Sequence, residues 1–132
     1  VLMTIQEMST AVQYRLPIKI FILNNEYMGM VRQWQELLHD KNYSESYSKA
    51  LPDFVKLAEA YGCAGIRVSK PSELDEKINE MINIDKPVIF DCVVDKEENC
   101  YPMIPSGKPH NQMLLGPQDK KEELSDEGKI LV

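Results

Sequence analysis

Two adjacent asparagines, Asn24 and Asn25, follow a run rich in apolar residues, Ile18-Lys19-Ile20-Phe21-Ile22-Leu23, and precede Glu26-Tyr27-Met28-Gly29-Met30. An asparagine amide oxygen is a neutral hard donor that suits Mg²⁺ or Ca²⁺. Irregular backbone beyond it can lend a carbonyl to the same ion. Two neutral donors leave most of the ion's charge uncompensated, so the ion can still hold a diphosphate. From residue types alone a simpler reading stays open: a strand-to-loop turn, because asparagine tolerates turn conformations.

Other reactive residue types are scattered. His39 and His110 lie far apart with no ligand-like neighbours and read as surface or loop histidines. Trp34, on a short amphipathic segment, reads by itself as ordinary packing. The seven methionines are the flexible filler of a core, and Met28 and Met30 stand out only through their neighbours. Glu7 reads as solvated or locally paired. Cys63, Cys92 and Cys100 are odd in number, widely spaced and form no C-x-x-C, which argues against a disulfide framework and for a reducing compartment. Cys63 and Cys92 fall in or beside buried segments and are expected to be inert, with Cys100 exposed. Asn42-Tyr43-Ser44 matches a glycosylation triplet of the kind that arises by chance.

The elements that must position these residues alternate. Ile5, Met8, Ala11 and Val12 form a helical stripe that ends at Leu16-Pro17. Ile18–Leu23 reads as a strand covered on both faces, the signature of a parallel sheet. Met30 to His39 predicts a helix with Val31, Trp34, Leu37 and Leu38 on one side, followed by a polar loop from Asp40 to Leu51. Pro52 suits a helix's first turn, Phe54, Ala58 and Tyr61 share a face, and Gly62 fits the position past the end. Gly65–Val68 predicts a short strand. Pro71 opens a helix whose stripe is Leu74, Ile78, Met81 and Ile82, and Pro87 to Val94 predicts a second strongly buried strand. Helix, strand, helix, helix, strand, helix, strand predicts an α/β fold: a partial doubly wound parallel sheet with helices on both faces. After Asp95 prolines and glycines punctuate an irregular tail, and the charged stretch Asp119 to Lys129 reads as a solvated, mobile terminus. Residues 1–95 therefore form the predicted domain and 96–132 a tail or arm.

With 132 residues the chain makes one small domain, and 43% hydrophobic with 27% charged residues are globular proportions. Fifteen basic against twenty-one acidic residues give a net charge of −6. That balance excludes an electrostatic nucleic-acid binder and docking on an anionic membrane. No apolar run reaches the roughly 20 residues that span a bilayer. The opening Val1-Leu2-Met3-Thr4 has no charged leader region and is expected to lie mid-fold, inside a longer polypeptide.

The segment Ile20-Phe21-Ile22-Leu23-Asn24-Asn25-Glu26-Tyr27-Met28-Gly29-Met30-Val31-Arg32-Gln33-Trp34-Gln35-Glu36 resembles the thiamine diphosphate motif of the acetohydroxyacid (acetolactate) synthase family, catalytic subunit. The flanks agree: Thr4 to Val12, Pro52 to Ala60 and Pro102 to Gly107 look like segments of the same family. Asn-Asn alone is a weak signal, but Asn-Asn followed by Gly-Met-Val and then Trp-Gln at this spacing is a strong one. The resemblance implies a C-terminal thiamine-diphosphate-binding domain. The family's Gly-Asp-Gly half-motif, whose aspartate is the charged ligand of the Mg²⁺, is not in the sequence and would align just upstream of Val1. The isolated chain is accordingly expected to bind cofactor poorly and to be inactive.

By resemblance, Asn25 binds Mg²⁺ through its side chain and Tyr27 through its backbone carbonyl. Met28 belongs to the cofactor-binding stretch, and Gly29 lets the backbone come close to the diphosphate. Met30 and Val31 lie near the aminopyrimidine and the reacting carbon. Trp34 lines the pocket for the second substrate, favouring 2-ketobutyrate, and contacts sulfonylurea-type herbicides. The implied cofactors are thiamine diphosphate and Mg²⁺, with FAD in a parent enzyme held by a domain outside this sequence. The implied reaction decarboxylates pyruvate and adds its two-carbon unit to pyruvate or 2-ketobutyrate, the first shared step of branched-chain amino-acid synthesis. That chemistry belongs mostly to the cofactor, and no residue here looks like a nucleophile or general base. Met103 to Leu115 has some claim to cap the site. Keto-acid substrates, the parent's remaining domains, a homo-oligomeric partner and a regulatory small subunit are the expected partners, with a cytoplasmic or, in a eukaryote, organellar location. Two alternatives stay in view: another thiamine-dependent decarboxylase or carboligase such as a glyoxylate carboligase, and a non-catalytic α/β domain that self-associates.

Overall fold

The computed structural model describes residues 1–117; the charged stretch from Asp119 to Lys129 lies outside the described residues. The chain divides into two compact units, Val1–Asn25 with Lys49–Asp95, and Glu26–Ser48 with the residues from Lys96 onward. The predicted division at Asp95 differs by placing 26–48 with the sheet.

The first unit is an α/β sandwich around three parallel strands, β1 (Lys19–Asn24), β2 (Ala64–Val68) and β3 (Val88–Val93), in the order β1-β3-β2. Three of the chain's helices belong to this unit: α1 (Glu7–Gln13), α3 (Phe54–Tyr61) and α4 (Leu74–Asn83). β3 is central, and Val88, Ile89, Phe90 and Asp91 have no exposed surface. Successive side chains of a strand point to opposite faces. One face therefore packs Val88, Phe90 and Cys92 with Ile66, Val68 and Met81, under Leu74 and Ile78 of α4. The other packs Ile89 with Met8, Phe54 and Ala58, bringing in Ile20 and Ile22. Helices do cover both faces.

Local chemistry sets the helix ends. Asp53 is the N-cap of α3 and accepts from the N–H groups of Val55 and Lys56, so Pro52 lies outside the helix rather than in its first turn. Gly62 closes α3 at φ +82, a left-handed position that glycine takes without steric cost. Pro71 opens a 3₁₀ turn, Pro71–Glu73, that leads into α4. A Cβ on Gly65 would come 2.8 Å from the Val55 backbone, so α3 lies directly on β2.

Two burial expectations need correction. β1 is an edge strand, not one covered on both faces: Phe21 is 41% and Leu23 68% exposed, although the Phe21 ring stacks on Phe90 at 4.6 Å. The apolar sequence of β1 matched a buried strand, but only the face with Ile20 and Ile22 is packed, while the face with Phe21 and Leu23 is left largely open. Ile82 points outward at 59% exposure while Met81 takes the buried position of α4.

The second unit contains α2 (Gly29–Leu38) and a tail with more structure than its sequence promised. Met103 and Leu114 exchange backbone hydrogen bonds at 2.9 and 2.7 Å, and a 3₁₀ turn spans His110–Gln112.

Candidate functional site

Asn24, Arg67 and Asp91 lie toward the carboxyl ends of the three strands, where open parallel sheets place their ligand sites. Register sets Arg67 of β2 beside Asp91 of β3, while Asn24, the last residue of β1, lies two residues beyond Ile22, the other neighbour of Asp91. Asp91 Oδ2 accepts from Arg67 Nε at 2.7 Å, and Asp91 Oδ1 accepts from Asn24 Nδ2 at 2.9 Å. Arg67 also reaches Asp53 Oδ1 at 3.2 Å. A fully buried carboxylate is tolerated only when paired and hydrogen-bonded, and here both oxygens are used. The hydrogen bond to Asp91 holds the Arg67 guanidinium above its ordinary pKa. The N–H of Lys56 leads the causes that hold Asp53 below the usual carboxylate value. Sequence reading missed this network. Its signal was an aspartate inside an otherwise apolar strand, a residue type almost never buried unpaired. Asn25 follows Asn24 at the end of β1 and is half-buried.

In the second unit, Glu26 takes a left-handed φ of +59. Ser48 N–H donates to the Glu26 carbonyl and Met28 N–H to the Ser46 carbonyl, both at 2.8 Å, on either side of the bridge between Tyr27 and Tyr47. That is the non-hydrogen-bonded kind of antiparallel pair, so Tyr27's own N–H and C=O point away from segment 46–48. The Glu26 carboxylate accepts from Tyr47 Oη at 2.9 Å and Lys96 Nζ at 2.5 Å. Lys96 and then Tyr47 hold the Glu26 carboxyl below its ordinary value, and Glu26 in turn raises Lys96 and Tyr47.

Gly29 opens α2, which has no side-chain N-cap. Met28, Met30 and Val31 are about half exposed. An open cavity of about 460 Å³ is lined by Met30, Val31, Trp34, Gln35, His39 and Asn42. The structure thus brings Met30, Val31 and Trp34 together on one surface, with Met28 and Gly29 at the start of the same helix.

The buried side of α2 is not its apolar stripe. Arg32 and Gln33 are its buried residues, at 6% and 2% exposure. Gln33 grips the Cys100 backbone from both directions: its Nε2 donates to the Cys100 carbonyl at 3.1 Å and its Oε1 accepts from the Cys100 N–H at 2.6 Å. Arg32 pairs with Glu36 at 2.7 Å, donates to the Glu97 carbonyl and Asn99 Oδ1, and lies 5.5 Å from the ring centres of Tyr27 and Tyr43. Nothing in the hydropathy pattern marks these roles, because Glu97, Asn99 and Cys100 lie more than sixty residues along the chain.

The Asn25 amide oxygen in the first unit and the Tyr27 carbonyl in the second are each neutral oxygen donors of a kind that suits Mg²⁺. Among the described residues no group of three His, Cys, Asp or Glu could hold a metal ion. A helix N-terminus without a side-chain cap, opened by glycine, presents backbone N–H groups that suit phosphate oxygens. Cys63 and Cys92 are buried and Cys100 is exposed, all three free. Burial raises the thiol pKa of Cys63 and Cys92, which keeps both unreactive.

A helix-flanked parallel sheet with Asn24, Arg67 and Asp91 toward the carboxyl ends of its strands is an arrangement in which α/β domains hold ligands. Residues 1–92 match the family described as thiamine pyrophosphate enzyme, C-terminal TPP binding domain, and the chain belongs to that family. It is 50% identical over 113 residues to the acetolactate synthase large subunit of Cyanidium caldarium, covering 85% of this chain and 19% of that protein. It is 45% identical over 121 residues to the acetolactate synthase isozyme 3 large subunit of Escherichia coli, covering 89% and 21%. Among solved structures it is similar to the thiamine diphosphate-dependent 4-hydroxybenzoylformate decarboxylase of Rhodococcus jostii RHA1, with TM-score 0.64, 27% identity, and 72% and 18% of the two chains covered. The chain spans about a fifth of the length of the curated relatives it matches. Among the described residues no helix is long and apolar enough to cross a membrane.

Proposed function

We propose that this chain is the thiamine-diphosphate-binding segment of an acetolactate synthase large subunit, acting within a longer polypeptide on pyruvate and a second 2-keto acid. The observation that carries this reading is 42–50% identity to acetolactate synthases over 85% or more of the chain. The bound cofactor supplies the carbanion chemistry of decarboxylation and carbon–carbon bond formation. The chain's own residues bind and orient. The Asn25 amide and the Tyr27 carbonyl hold Mg²⁺. Met28 and Gly29 approach the diphosphate, Met30 and Val31 face the reacting end, and Trp34 forms a wall for the acceptor. FAD, where the parent enzyme carries it, is held outside this segment. The remaining domains, a second copy and a small subunit are the partners this reading requires, in the cytoplasm or an organelle. The names of the relatives, "large subunit" and, in Schizosaccharomyces pombe, "mitochondrial", support those two points.

The test is to express the full-length polypeptide carrying this segment and assay acetolactate formed from pyruvate with Mg²⁺ and thiamine diphosphate. Asn25→Ala is expected to weaken Mg²⁺ and cofactor together, with activity partly recovered at high concentrations of both, because the metal bridges protein and diphosphate. Wild-type cofactor affinity in that variant would return Asn24-Asn25 to a plain turn. A thiamine-dependent decarboxylase is the second reading, favoured by the Rhodococcus structure. Aldehyde in place of acetolactate would select it.

A further inference from the structure

The geometry points to Asp91 as a positioning residue for the metal–diphosphate end of the site, acting through Asn24 on Asn25. This rests on the reading of Asn25 as a Mg²⁺ ligand. Asp91 is the one charged residue of β3, fully buried between Phe90 and Cys92. Balancing Arg67 occupies only Oδ2; Oδ1 accepts from the side-chain amide of Asn24. The Asn24 carbonyl in turn accepts from Val94 N–H at 3.1 Å. Asn24 is therefore held at both ends, by β3 through its backbone and by Asp91 through its side chain. The residue after it leaves the sheet from a fixed peptide plane, so few torsions remain to aim the Asn25 amide. The support continues outward. Arg67 is steadied by Asp53, the N-cap of α3, so a line of polar contacts crosses from α3 through β2 and β3 to the end of β1. A ligand oxygen aimed by rigid neighbours loses less freedom on binding a metal than one on a free turn.

The alternative is that Asp91 only neutralises Arg67, and three variants of the full-length polypeptide separate the two. Mg²⁺ and thiamine diphosphate affinities are measured by calorimetry, with unliganded melting recorded alongside. Asp91→Ala is expected to weaken both ligands roughly 10–100-fold, the usual effect of losing an outer-shell partner. Asn24→Leu, which removes the same hydrogen bond from the half-buried side, is expected to do likewise and keeps the test open if Asp91→Ala does not fold. Asp91→Asn retains an oxygen for the Asn24 amide but not the charge for Arg67. It is expected to melt lower yet recover most of the affinity, a split that a merely structural role does not produce. Wild-type affinity in Asp91→Ala or Asn24→Leu, alongside weakened binding in Asn25→Ala, overturns the inference and leaves the metal site standing. Wild-type affinity in Asn25→Ala overturns both.

Discussion

The sheet unit and the α2 unit are held together by different chemistry. Around β3, apolar side chains fill both faces. Around α2, two polar side chains fix the chain: Gln33 clamps the Cys100 peptide and Arg32 gathers Glu36, Glu97 and Asn99. Apolar packing is non-directional and forgiving of detail. A clamp on a peptide group is directional and works only with both partners in place. Turning Arg32 and Gln33 inward also leaves Met30 and Val31 outward, an apolar surface of the sort that marks a ligand site. The sheet unit spends its apolar residues on stability, and α2 displays part of its own.

The largest effect expected from this contrast is in the sheet. Phe90 has no exposed surface and touches both Phe21 and the cluster under α4. Phe90→Ala is expected to destabilise the chain by about 3–5 kcal/mol, read from denaturant unfolding. A loss below about 1 kcal/mol, the scale of a surface substitution, would mean that the face under α4 is not packed as described.

A smaller, local effect is expected at α2. Gln33→Leu keeps the volume but loses both part-buried hydrogen bonds to the Cys100 backbone, at a cost of about 1–3 kcal/mol for the two together. The expected signature is faster amide exchange at Cys100 and easier proteolysis between Lys96 and Met103, with the sheet amides unchanged. Equal acceleration in both regions would erase the distinction between the two.

How far the sequence could be read follows the same line. Helical stripes and apolar runs placed the three strands and four α-helices of the described residues within a few residues, because periodicity reports which side of an element meets a core. The same logic failed where burial depends on a neighbour. β1 has the composition of a covered strand yet stands at an edge, with Leu23 outward. Arg32 and Gln33 look like solvated helix residues yet are the most buried in α2. Asp91 was legible as an oddity inside an apolar strand, but its partners Arg67 and Asn24 emerge only from strand order. Of the proposed site, the stretch from Asn24 to Trp34 was legible as one contiguous motif, whereas its supports come from remote segments.

The smallest expected effect tests the displayed face of α2. Trp34 shares an open cavity with Met30 and Val31, where it forms a wall without enclosing a ligand. One methylene in a fully enclosing pocket is worth about 1–3 kcal/mol, so a single open wall falls at the low end, about 1 kcal/mol or about fivefold. In the full-length polypeptide, Trp34→Leu is therefore expected to lower the preference for 2-ketobutyrate over pyruvate by about that factor while leaving turnover of pyruvate alone largely intact. Offering both acceptors together and measuring the ratio of the two products reads the change directly. An unchanged ratio would assign Trp34 to packing, and the exposed face of α2 would then need another explanation than acceptor choice. A shifted ratio with unaltered amide exchange at Cys100 would show that the outward and inward sides of this one helix serve separate ends: selecting a substrate and holding the tail.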